Sequence, residues 1–295
     1  MHFFLNRIRS FIFFLIRISG VPFLIRITIQ RKLVTILYYH DIDPKVADIS
    51  FKVLRSRYNI ISLDSFINAY ISGNKKNIPS RALIITFDDG HKGNFRLLPV
   101  INECQIPVTI FLCAGIINTN RHYWWTAISE NKVFEKLLRC SNEKRLEILS
   151  DFGFRQDREY QDRQALLTTE INEMKTCPYI SFGSHTIFHP FLDRCSSSES
   201  LFELSESKRI LEQDHSLKIK ALSFPNGNYS NREIKFVESL KYQCALTVNP
   251  GYNSLNGDVY RLRRFSTNDT SDMNELIVKA SGLWRFITYS FNAML

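Results

Sequence analysis

The chain has 295 residues, 44% of them hydrophobic and 23% charged, which is ample for one large domain with its own core and excludes wholesale disorder. Its net charge of +9 is uneven: Arg7, Arg9, Arg17, Arg26, Arg31 and Lys32 stand within the first 40 residues, without one acidic residue, and supply +6 of it. The basic character is therefore an N-terminal property, which excludes a nucleic-acid-binding face spread over the fold.

In chain order, the first segment is residues 1–32. The run Phe11–Ile16 (FIFFLI) is interrupted by Arg17 after six residues. That is short of the roughly 20 apolar residues of a spanning helix and of the about 7–15 of a signal-peptide core. Phe, Ile and Leu interspersed with Arg over residues 3–29 suit a helix lying in a membrane interface; the alternative is a helix packed on the domain's own core. Gly20-Val21-Pro22 divides the stretch in two. The expected location is membrane-associated or cytoplasmic, with the side of the membrane open.

The rest of the chain, 33–295, reads as one domain. Short β-branched or aromatic runs alternate with amphipathic segments. Strands are expected at 33–39, 59–62, 82–87 (ALIITF, the clearest), 107–112, 179–184, 221–224 and 244–248. Helices are expected at 50–58, 63–72, 94–104, 198–214 and 232–240. This alternation predicts an α/β fold with a mostly parallel sheet, open or closed into a barrel, with functional residues at the C-terminal ends of strands. Residues 118–177 are the least strand-like and read as a helical insertion, with helices at 132–149 and 164–174. Tyr123, Trp124 and Trp125 open it, either as anchors to the core or, for Trp124, as a platform stacking on a sugar face. The six cysteines (Cys104, Cys113, Cys140, Cys177, Cys195, Cys244) form no C-x-x-C pair, which excludes zinc-ribbon spacing and leaves reduced, mostly buried thiols.

Thr86-Phe87-Asp88-Asp89-Gly90 follows the strongest strand directly. Two adjacent carboxylates repel and are costly to desolvate, so they call for a cation or a proton, although Asp-Gly alone is also a common surface turn. Gly183-Ser184-His185-Thr186-Ile187-Phe188-His189 follows another strand-like run. Histidines at i and i+4 are expected on one face of a helical turn, with ring nitrogens converging on one ion. Two imidazoles and a carboxylate suit a borderline divalent metal with positions left for water and substrate.

With both motifs in order, T-F-D-D-G at 86–90 and H-T-x-x-H at 185–189, the chain resembles the polysaccharide deacetylases (the NodB-homology family, carbohydrate esterase family 4) over about residues 33–270. The resemblance implies a distorted (β/α) barrel of about seven strands. It implies that Asp89, His185 and His189 hold one divalent ion, zinc in most members, and that Asp88 is the catalytic base. The base and the ion would together drive water onto an acetyl carbonyl.

The third family motif, R-x-P-Y-G, stands here as Ser223-Phe224-Pro225-Asn226-Gly227. The backbone N–H of Asn226 remains available for the oxyanion, whereas the base-orienting Arg must come from elsewhere. Arg264, in Arg261-Leu262-Arg263-Arg264, resembles the last Arg of an R-L-P-R segment in the adhesin-type glucosamine-polymer subgroup; otherwise it belongs to a solvated basic strand. No histidine follows His215, read as an exposed residue of a polar helix end. Tyr39-His40 resembles the Y-H motif that supplies the general acid in that subgroup, against a purely structural His capping the strand. The expected activity is removal of an N-acyl group, acetyl first, from an amino sugar in a glycan or lipid-linked saccharide. Its competitors are a deformylase or other small-acyl amidase, and an inactive carbohydrate binder.

Overall fold

The computed structural model describes residues 2–267 and 272–292. Eight strands run in chain order: β1 (Thr35–Tyr39), β2 (Asn59–Ile60), β3 (Ala82–Phe87), β4 (Val108–Leu112), β5 (Ile180–Ser184), β6 (Ala221–Ser223), β7 (Cys244–Leu246) and β8 (Phe265–Ser266). The sheet order is β7-β6-β5-β4-β3-β1-β8, with the two-residue β2 beside the start of β3, and every pairing is parallel. The runs ALIITF and VTIFL are buried at every position, as expected of parallel strands covered on both faces.

The segment 262–267 closes the ring. Leu262 N–H donates to Ala245 O (2.9 Å) and Arg264 N–H to Asn249 O (3.0 Å), while Leu262 O accepts from Thr247 N–H (2.8 Å). Three residues on, Phe265 and Ser266 pair with Leu37 and Tyr38 of β1. The seven principal strands thus form the distorted (β/α) barrel expected from the sequence.

Helices surround it: α1 (His2–Ile18), α2 (Val21–Thr28), α3 (Pro44–Arg55), α4 (Leu63–Ser72), α5 (Leu98–Cys104), α6 (Asn131–Leu137), α7 (Asn142–Asp151), α8 (Thr168–Met174), α9 (Ser197–Arg209), α10 (Asn231–Ser239), α11 (Met273–Ala280) and α12 (Leu283–Asn292). The α4 boundaries match the sequence reading, with Ser62 as N-cap and Gly73 at φ 64° ending it. By contrast α3 begins at Pro44, six residues before the expected Ser50, because Asp43 accepts from Lys45 N–H and Pro44 occupies the first turn. The single helix expected over 132–149 is two, α6 and α7, with Ser141 capping the second. They share a small core of Trp124, Leu137, Ile148, Leu149, Phe154 and Phe191. The six cysteines are free thiols, five of them buried.

One face of the N-terminal segment packs on the domain, as the second alternative has it. Phe13 is fully buried, with its ring 4.6 Å from that of Trp284 on α12, and Arg9 pairs with Glu275 of α11 at 2.5 Å. Gln30, also buried, is held by Thr35, Tyr58 and the Ala280 carbonyl. The opposite face is apolar and open to solvent: Phe11, Phe14, Leu15, Ile18, Phe23 and Leu24 are each between 43% and 60% exposed. No single described helix is long and apolar enough to cross a membrane, and α1 and α2 are bent by 52° at Ser19-Gly20.

Candidate active site

Asp88 and Asp89 leave the C-terminal end of β3, and Asp89 (φ 72°) and Gly90 (φ 73°) both adopt the left-handed conformation. At Gly90 a side chain is also excluded sterically, since a Cβ would lie 2.7 Å from Leu112 Cδ2. The turn aims Asp89 into the barrel mouth. Its Oδ1 is 3.3 Å from His185 Nε2 and 3.6 Å from His189 Nε2.

The two histidines converge through a loop and not through the helical turn expected from their i, i+4 spacing. Residues 185–189 are non-helical, and Thr186 (φ 66°) and His189 (φ 58°) are left-handed. The loop is pinned from α9: Glu203 accepts from the N–H groups of Ile187 (2.7 Å) and Phe188 (3.2 Å). His189 N–H is held by Thr186 Oγ1. Burial pushes the Glu203 carboxyl up to about 7, against the lowering effect of those two N–H donors. Sequence reasoning missed Glu203, yet a signal exists. Ser200, Glu203, Leu204 and Ser207 follow the i, i+3, i+4, i+7 pattern of a buried face and are all buried.

Asp89, His185 and His189 are buried and their ligand atoms lie within 4.8 Å of one another. Asp89 Oδ1 has no hydrogen-bond donor although it is buried, an arrangement that is costly without a cation. His185 Nδ1 lies 2.8 Å from Ser223 O, so its N–H belongs on Nδ1 and its Nε2 lone pair faces the cluster. One carboxylate and two imidazoles fit a borderline divalent cation such as zinc. Burial opposes ionisation of Asp89, but the neighbouring His185 and His91 rings hold its carboxyl well below the ordinary range. Burial, reinforced by His185, lowers His189 to about 3, so its imidazole is neutral.

Asp88 points to the other side. Arg264 grips it with two parallel bonds, Nη1 to Oδ1 and Nη2 to Oδ2, each 2.8 Å. Arg264 is fully buried and also donates to Thr247 O and Thr86 Oγ1, so it is no solvated strand residue. Ser223, which stands where the family motif has Arg, is small enough to admit this side chain and accepts from its Nη2 at 2.8 Å. Burial alone would raise the Asp88 carboxyl; Arg264 and then His185 hold it below its usual value.

A cavity of about 430 Å³ opens over these groups, lined by Tyr38, His40, Asp88, Asp89, His91, Trp125, His185, His189, Asn226 and Val248. His40 is exposed at its wall, just past β1, with its backbone carbonyl accepting from Asn94. Asn226 also lines the wall, in a left-handed conformation (φ 52°). Trp124 does not reach it. That ring is 4% exposed, sits against Phe191 and Arg145, and its Nε1 donates to His189 O at 3.1 Å. Its neighbour Trp125 lines the cavity instead, edge-on to His189 at 4.5 Å. The 3₁₀ turn at Trp124–Ala127 turns adjacent side chains to different sides, which spacing alone does not reveal. His91, given no role from sequence, lies 3.2 Å from Asp89 Oδ2. His215 is buried, its Nδ1 at 3.2 Å from Thr168 Oγ1, and not at an exposed helix end.

A barrel whose strand ends bring together a carboxylate–imidazole cluster and a second, guanidinium-bound carboxylate has the make-up of a hydrolase. The family model for polysaccharide deacetylases matches residues 75–245, and the chain belongs to that family. YxkH of Bacillus subtilis (strain 168), named for the same family, is 23% identical over 190 residues, covering 64% of this chain and 52% of that protein. The chain thus spans about half the length of this curated relative. Two solved structures share the fold. The Streptococcus pyogenes deacetylase PplD, solved with acetate, is 19% identical with a TM-score of 0.62, over 84% of this chain and 98% of that one. IcaB from Ammonifex degensii is 16% identical with a TM-score of 0.61, over 85% and 98%.

Proposed function

We propose that the protein hydrolyses the N-acetyl group of an amino sugar at a single divalent-cation site. The observation that carries this reading is the pairing of a three-donor cluster holding an orphaned carboxylate oxygen with an Arg-bound Asp88 in one cavity. Asp89, His185 and His189 would hold the cation, zinc by donor type. Such an ion, when bound, polarises a carbonyl and acidifies water.

The chain's own groups divide the remaining work. Asp88, kept ionised and oriented by Arg264, takes a proton from the attacking water. The N–H of Asn226, a residue of the cavity wall, is the proposed donor to the oxyanion of the tetrahedral intermediate. His40 delivers a proton to the departing sugar nitrogen, so that water and amide give acetate and amine. Trp125 replaces Trp124 as the surface for a sugar face.

Purified protein is expected to bind about one divalent ion per chain and to release acetate from N-acetylated amino sugars. His185→Ala should abolish that ion by metal analysis; native protein that holds none would sink the reading. Formate release in place of acetate would favour the deformylase alternative. His40→Ala should lower kcat by roughly 10²-fold or more with metal content unchanged. Loss of metal with kcat per bound ion preserved would make His40 structural.

The open apolar face of α1 and α2 supports a second proposal, peripheral attachment to an anionic bilayer. Arg7, Arg17, Arg26, Arg31 and Lys32 accompany it without an acidic neighbour in the first 40 residues, which complements anionic headgroups. Because Phe13 and Gln30 are built into the fold, substitution is a cleaner test than deletion. The double variant Phe11→Asp, Phe23→Asp should remain folded and lose flotation with phosphatidylglycerol vesicles. Unchanged flotation would refute attachment through this face. On this reading a lipid-linked saccharide is the substrate best placed to reach the site.

A further inference from the structure

A second cavity, of about 360 Å³, adjoins the active site and is lined by Tyr38, Ser266, Lys279, Trp284, Arg285 and Thr288 among others. Tyr38 and Val248 belong to the walls of both cavities, and Arg264 forms part of this one from behind. Three cationic side chains line it and, among the described residues, no carboxylate does. Arg264 is neutralised by Asp88. The other two leave an excess of positive charge. Lys279 shares the buried carboxylate of Glu275 with Arg9 (2.8 and 2.5 Å), so two cations face one anion. The Arg285 guanidinium makes no hydrogen bond or ion pair among the described residues. Ser266 and Thr288 also belong to the lining, and the position next to Arg285, Trp284, packs on Phe13 of α1. The cavity therefore lies between the hydrolytic groups and the helices whose outer face is apolar.

We propose that this cavity is a phosphate subsite, receiving the phosphodiester of a substrate whose amino sugar sits at Asp88 while its lipid tail leads toward α1 and α2. The proposal rests on the deacetylase reading above. Guanidinium and ammonium groups, in a wall with no carboxylate among the described residues, are the chemistry that selects a phosphate over a neutral glycan. A neutral polysaccharide gains nothing from such a wall.

The test compares acetate release from N-acetylglucosamine as its decyl phosphodiester and as the decyl glycoside that lacks phosphate. The full chain should show a KM about tenfold lower for the phosphodiester, the effect of one charge-assisted contact. Arg285→Gln should erase that advantage and leave the glycoside's kinetics unchanged. Equal effects on both substrates, or on neither, would overturn the subsite. If neither substrate is hydrolysed, the deacetylase reading fails for this sugar while the subsite stays testable by calorimetry with inorganic pyrophosphate. Binding weakened about tenfold by Arg285→Gln supports the subsite, and no binding by the wild type overturns it. A third arm separates the bilayer from the substrate as the source of phosphate. If Arg285→Gln weakens flotation with phosphatidylglycerol vesicles and leaves the phosphodiester KM unmoved, Arg285 serves the headgroups and the proposal falls.

Discussion

Replacing Asp88 by asparagine is expected to lower acetate release by roughly 10²–10⁴-fold, the contribution of a positioned general base, while the bound divalent ion stays. The two outcomes separate because the carboxylates are separately committed. Asp89 Oδ1 faces His185 and His189, whereas both Asp88 oxygens face Arg264. Asparagine keeps the shape and one acceptor oxygen but cannot take a proton from water. It also leaves Arg264 buried opposite a neutral group, so a loss of stability should accompany the loss of turnover. Assaying well below the denaturation midpoint, with metal content measured on the same sample, keeps the two effects apart. Retained turnover with full metal content would place the base elsewhere.

Arg264→Met is expected to be the most destabilising single change at the site, by about 3–5 kcal/mol, because it leaves the Asp88 carboxylate buried and unpaired. Urea denaturation of wild type and variant measures this directly. A loss under about 1 kcal/mol would mean that water or another cation reaches Asp88. The companion variant is the exchange Ser223→Arg with Arg264→Ser. Ser223 Oγ lies 2.8 Å from Arg264 Nη2 and 3.4 Å from Asp88 Oδ2, so a guanidinium rooted on β6 is close enough to meet the same carboxylate. Each single change should be worse than the pair, the non-additivity expected of residues sharing one partner.

Much of this was legible beforehand, for identifiable reasons. ALIITF announces a fully buried parallel strand, and carboxylates at its end have to be functional or paired; both strand-end motifs then land in one cavity. The misreadings arise where backbone conformation, and not residue type, decides. His185 and His189 suggested a helix face because i, i+4 is helical spacing, but positive φ at Thr186 and His189 brings the rings together in a loop. The start of α3 lies in Asp43-Pro44, an N-cap and a first-turn proline that precede the expected helix by six residues. Trp124 and Trp125 are indistinguishable by composition, and only the 3₁₀ turn and the Trp124 bond to His189 O separate the buried ring from the half-buried one that lines the cavity. Arg264 was recognisable by its segment, but its pairing partner is 176 residues away, a separation no local pattern encodes.

That separation has a consequence for assembly. Asp88 emerges early in synthesis, and its guanidinium partner lies on the segment that closes the ring near the chain's end. The first helix is likewise held by the last ones, through Phe13 on Trp284 and Arg9 on Glu275. Long-range contacts of this kind form late, since the loop entropy of the whole chain stands against them. An incomplete chain therefore has neither a paired base nor a docked N-terminal segment. The Asp88–Arg264 pair and the seating of the apolar N-terminal helices both wait on the same final docking, so the two are completed in one step.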